Sequence, residues 1–130
     1  MTVIVSAAPA SAASYVDKRA NPCVGCNPGI VVEYWYKKGS HSRGVGWIYA
    51  GKDNPAAGKT YYARWLYKKP GGSWKVGKSW RKGTKVHNSS ESWIEVDWGR
   101  GGHTGPKFPR NTKIAIQFKG SGTKRAATLK

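Results

Sequence analysis

The side chains of this 130-residue chain that could carry chemistry are three histidines, six carboxylates and one pair of cysteines. His41, His87 and His103 stand among many lysines. That permits RNA cleavage, in which two imidazoles move the proton and a cation steadies the phosphorane charge. Their settings, Gly39-Ser40-His41-Ser42, Val86-His87-Asn88 and Gly102-His103-Thr104, read instead as solvated loops. Glu95 and Asp97, two apart on one face of a candidate strand, are a carboxylate pair of the kind a glycosidase needs. The surrounding positive field keeps both ionised, whereas an acid catalyst needs a raised pKa. The chain has no G-x-S-x-G, no H-E-x-x-H, no P-loop and no Gly-rich loop leading into a helix. The sequence therefore assigns no catalytic residue, cofactor or metal, and the expectation is a non-enzyme.

Cys23 and Cys26 lie in Asn21-Pro22-Cys23-Val24-Gly25-Cys26-Asn27-Pro28-Gly29. A catalytic redox pair places its first cysteine at a helix N-terminus, and Pro22, Gly25, Pro28 and Gly29 deny it a helix. Zinc needs four ligands, and none of the three histidines completes a recognised spacing. In an exported protein the simplest outcome is a local Cys23–Cys26 disulfide that stiffens a turn; pairing with a partner chain and, less favoured, a zinc site are the alternatives.

The most informative pattern is the interleaving of cations with rings. It occurs in Tyr34-Trp35-Tyr36-Lys37-Lys38, in Arg64-Trp65-Leu66-Tyr67-Lys68-Lys69, and in Trp74-Lys75-Val76-Gly77-Lys78-Ser79-Trp80-Arg81-Lys82. Such a surface holds a polyanion by counterion release and cation–π contact. The expected docking face is Lys68, Lys69, Trp74, Lys75, Lys78, Trp80, Arg81 and Lys82, with Trp74 and Trp80 the first candidates for exposed rings. About half of the Trp and Tyr rings are needed for the core. The partners that fit are an acidic protein or an anionic cell-wall polymer, with nucleic acid less favoured because no nucleic-acid motif is present.

The elements that must position these residues follow from composition. Lys and Arg number 23 against 6 Asp and Glu, a net charge of +17, and seven Trp and seven Tyr accompany only two Phe and one Met. With 17 Gly, 7 Pro and two leucines, Leu66 and Leu129, good helix formers are missing. Enough ring area remains to exclude disorder throughout. Short runs rich in Val, Ile, Trp and Tyr predict strands over Ile30–Tyr36, Val45–Ala50, Thr60–Tyr67, Ser73–Trp80, Ser92–Trp98 and Lys113–Phe118. The fold class is all-β, a small antiparallel sandwich or barrel of about six strands.

Alternation puts Ile94, Val96 and Trp98 on one face against Trp93, Glu95 and Asp97, and points Ile114, Ile116 and Phe118 inward. Lys68-Lys69-Pro70-Gly71-Gly72-Ser73 reverses the chain, so a hairpin is expected with Trp74, Val76, Lys78 and Trp80 on one face. Residues 1–12 read as the remnant of an export signal, with Ala10-Ser11-Ala12 resembling a cleavage site, so the expected location is secreted. Residues 13–29 form an extended arm, 30–119 the β domain and 120–130 a flexible basic tail. No run reaches the length and apolarity of a membrane-spanning segment.

The export-signal tail, the Asn21-Pro22-Cys23-Val24-Gly25-Cys26-Asn27-Pro28 arm and the compact Trp-rich domain together resemble the small adaptor subunits of secreted actinobacterial umbrella toxin particles. In that family a small β protein joins lectin-like spoke subunits to the stalk of a large toxin by inserting its N-terminal arm into the spoke. The resemblance implies that Tyr15 to Cys26 insert, with Tyr15, Val16, Pro22, Cys23, Val24 and Cys26 as the contacting residues. It also implies that a basic face of the domain meets the stalk within an antibacterial toxin complex.

Overall fold

The computed structural model describes residues 14–130; the expected export-signal remnant lies outside the described residues. Ten strands form among the described residues: β1 (Tyr15–Ala20), β2 (Gly29–Lys37), β3 (Ser42–Asp53), β4 (Tyr62–Lys68), β5 (Lys75–Lys82), β6 (Thr84–His87), β7 (Ser92–Trp98), β8 (Lys107–Pro109), β9 (Lys113–Phe118) and β10 (Arg125–Thr128). They make two antiparallel sheets. One runs β1-β2-β3-β7-β6 with β8 alongside β3, and the other runs β10-β9-β4-β5. The result is an open sandwich, the first of the two architectures expected from the strand pattern.

Two-residue alternation decides what the sandwich encloses. One sheet contributes Ile30, Val32, Tyr34, Ile48, Ala50, Ile94, Val96 and Trp98; the other contributes Ala63, Trp65, Ile114, Ile116 and Phe118, all buried. The inward sets read from Ser92–Trp98 and Lys113–Phe118 are therefore the observed ones. Each such aliphatic side chain contributes about 1.5–3 kcal/mol on burial. Glycine makes room for the largest rings. A Cβ on Gly77 would collide with the six-membered ring of Trp65, and one on Gly44 would collide with the Trp35 indole.

Three expectations are corrected. Residues 120–130 do not form a free tail: β10 pairs with β9, Ala126 opposite Ala115 and Ala127 opposite Ile114. Leu129 is fully buried, and its backbone N–H and C=O bond Thr112 and Asn111. Two small apolar residues and one leucine among lysines were too weak a pattern to read as a strand, but their burial against a neighbouring edge is sufficient.

The extended arm expected over residues 13–29 is, over its described residues 14–29, laid on its own domain. β1 pairs along β2 from Tyr15 opposite Lys37 to Ala20 opposite Val32. Its polar alternation, Asp17 and Arg19 outward with Val16 and Ala20 toward the core side, suits an edge strand whose outer row faces water. The Cys23–Cys26 disulfide lies in the turn that follows, with Cα atoms 5.4 Å apart.

The third correction concerns β5. Its pairing with β4 slips twice around Trp65, placing Trp65 opposite Lys78 and Leu66 opposite Val76. An extra residue in one strand turns the following side chains to the other face, and a second slip turns them back. Lys78, between the slips, therefore shares the face of Trp65 rather than that of Val76, and lines a cavity with Val45, Ile48, Trp65 and Trp98.

Candidate functional site

β4, β5 and β9 build the outer face of the four-stranded sheet. In β4, Ala63, Trp65 and Tyr67 point to the core side, so Tyr62, Arg64, Leu66 and Lys68 point out. In β9, Ile114, Ile116 and Phe118 point in, leaving Lys113, Ala115 and Gln117 outside, beside Lys68, Leu66 and Arg64 respectively. Leu66 and Ala115 are buried although they face away from the core.

Three cation–ring pairs frame that apolar centre. The Arg64 guanidinium lies 4.5 Å from the Trp80 ring centroid, Lys119 Nζ is 5.7 Å from the Tyr62 ring, and Lys124 Nζ is 5.7 Å from the Trp74 ring. Lys124 precedes β10 on one side of the sheet and Trp74 precedes β5 on the other. The Lys124–Trp74 pair thus spans the outer face of the sheet, whose middle holds the buried Leu66 and Ala115. Arg64 is further fixed by Nε and Nη2, which donate to Gln117 Oε1 at 3.1 and 2.9 Å. With one donor from each of two nitrogens used on Gln117, the guanidinium over the indole keeps its other donors for an anion.

Cations lie on both sheets, and the carboxylates distinguish them. Asp17, Glu33, Asp53, Glu95 and Asp97 all lie on the six-stranded sheet, and Glu91 lies in the turn before β7. The four-stranded sheet carries no carboxylate, so its cations have no internal counter-ion.

The expected docking residues divide accordingly. Lys68, Trp74, Trp80 and Lys82 fall on this outer face, Lys82 opposite Tyr62. Lys69 occupies the turn, and Lys75, Lys78 and Arg81, opposite Tyr67, Trp65 and Ala63, are turned to the other side. Tyr62, Arg64, Lys119 and Lys124 were not in the expected set. Arg64 could have been found from its place beside Trp65, but Lys119 and Lys124 join only through the β4–β9–β10 pairing.

Of the expected arm residues, Tyr15 stacks on His103 with ring centroids 4.1 Å apart, and His103 Nε2 is 2.7 Å from Asp17 Oδ1. Val16 lies opposite Tyr36. Pro22, Cys23, Val24 and Cys26 belong to the turn, where Val24 is 86% exposed. His103 is therefore packed on β1, while His87 ends β6 at the opposite edge of the same sheet. Among the described residues no group of three or more His, Cys, Asp or Glu is placed to hold a metal ion, and no helix is long and apolar enough to cross a membrane.

Fold and face together define a small basic β-sandwich that presents an aromatic, carboxylate-free sheet. No family model, no curated protein and no solved structure matches the chain.

Proposed function

We propose that this protein is a secreted, non-enzymatic binding module that docks an acidic partner on the outer face of its four-stranded sheet. The observation that carries the reading is the Arg64–Trp80, Lys119–Tyr62 and Lys124–Trp74 set on a sheet with no carboxylate. The rings shield one side of each cation from water, which strengthens its attraction for an incoming anion. The local disulfide is compatible with an oxidising compartment.

An adaptor role of the kind seen in umbrella toxin particles fits this chemistry, with the acidic partner as the other subunit. In that role the turn around Val24 is the exposed part of the N-terminal segment that is not paired with β2. Titration of the full chain with poly-glutamate tests the docking reading. Affinity should fall steeply as salt rises, because each displaced counterion adds to the slope. It should also fall in Arg64→Ala and Lys124→Ala. Binding that ignores both salt and these substitutions would overturn the reading.

A further inference from the structure

The outer face of the six-stranded sheet is a second aromatic surface of different chemistry. Tyr49 on β3 lies down across its neighbour: a Cβ on Gly51 would stand 2.9 Å from the Tyr49 hydroxyl. Only glycine at position 51 leaves the ring that space. Trp47, two residues earlier, lies within 33° of the Tyr49 plane with centroids 5.7 Å apart. Val31, opposite Tyr49 on β2, points outward yet is buried, as expected beneath a layer of flat rings. Trp93 extends the row on β7, opposite Asp53.

Carboxylates fix these rings by their polar tips. Trp47 Nε1 donates to Asp97 Oδ2 at 3.0 Å and Trp93 Nε1 donates to Glu95 Oε1 at 2.8 Å. Burial, followed by the charges of Glu95, Asp53 and Asp97, pushes the Tyr49 phenol up to about 12, so it stays a neutral donor. Each carboxylate can accept about four hydrogen bonds, which leaves capacity for a ligand. The rings and their acceptors are thus set in place before anything binds, and little ordering entropy remains to be lost.

Charge selects the ligand class. Asp53, Glu95 and Asp97 stand around the rings and repel a polyanion, while Glu33 and Asp17 on the same sheet are paired with Arg19 and His103. A polycation meets a molecule of net charge +17. A dry protein surface would strip water from the exposed Asp53 and Asp97 without replacing it. An uncharged polyol avoids all three costs. Its C–H faces lie on the rings and its hydroxyls donate to the carboxylates. We infer that the Trp47, Tyr49 and Trp93 row, with Glu95 and Asp97, is a binding platform for an uncharged saccharide chain. Asp53 is six residues beyond Trp47 on β3, so at about 3.3 Å per residue the row spans roughly 20 Å, the reach of an oligosaccharide rather than a single sugar.

The test is titration of the full chain with cellohexaose and with chitohexaose, followed through the tryptophan indole N–H resonances and by calorimetry. At least one of the two should bind and shift the Trp47 and Trp93 signals while leaving Trp74 and Trp80 in place. Tyr49→Ala should weaken that binding by at least about tenfold. Asp97→Asn, which keeps every ring, should weaken it less, and Trp80→Ala on the opposite face should leave it unchanged. Absence of binding to both oligosaccharides would overturn the inference. So would affinity that survives in the Tyr49→Ala, Trp93→Ala double variant, or tighter binding of hexa-arginine than of either sugar, which would make the platform a cation site. The poly-glutamate experiment reads the other face, so either proposal can fail alone.

Discussion

Arg64 lies 4.5 Å from the centroid of the Trp80 ring while two of its nitrogens donate to Gln117 Oε1, so one guanidinium ties β4 to both of its neighbours. Arg64→Met keeps the length of the side chain and removes the fork and the charge. The expected loss is about 1 kcal/mol in chemical denaturation, together with a shallower salt dependence of poly-glutamate binding. Arg64→Lys should recover the charge without the bidentate geometry and bind between the two.

Leu129 is fully buried, and its backbone closes a pair of bonds with Asn111 and Thr112. Leu129→Ala should cost about 2–5 kcal/mol, the range for emptying a packed core position. Removal of residues 125–130 should expose the edge of β9 as well, and size-exclusion chromatography should then show association that the full chain lacks.

Gly77 sits where a Cβ would collide with the Trp65 ring. Gly77→Ala must displace that ring or open the β4–β5 pairing, and the expected cost is about 1–3 kcal/mol by thermal or urea unfolding. The same substitution at Gly122, whose Cβ would meet nothing within 4 Å, should be near neutral.

Tyr49 titrates near 12 in the folded protein against an ordinary value of 10.0. Between those values the unfolded chain has lost the proton and the folded one keeps it, so the unfolded state binds fewer protons. Stability from this group is complete below about pH 10 and is lost as pH rises toward about 12. Unfolding measured across that window should show a smaller decline in Tyr49→Phe than in the parent chain.

Local pattern determined much of this protein. Alternation in Ser92–Trp98 and Lys113–Phe118 identified the core residues because side-chain direction along a strand repeats every two residues, whatever the strand pairs with. Pro22, Gly25 and Pro28 excluded a helix at the cysteines for equally local reasons, and the short Val24-Gly25 spacing suits the disulfide that forms. The excess of cations and rings over carboxylates was a matter of counting.

Tertiary structure alone decided where those charges and rings met. Lys124 reaches Trp74, and Lys119 reaches Tyr62, because β9 and β10 pair beside β4, a relationship between residues about fifty apart in the chain. The slips opposite Trp65 turned Lys78 to the face of Trp65, since a bulge is set by the partner strand and reverses the alternation until the next slip. The concentration of five carboxylates on one sheet and none on the other is likewise a product of strand order. Strand order depends on long-range pairing and shared burial, which no window of neighbouring residues contains.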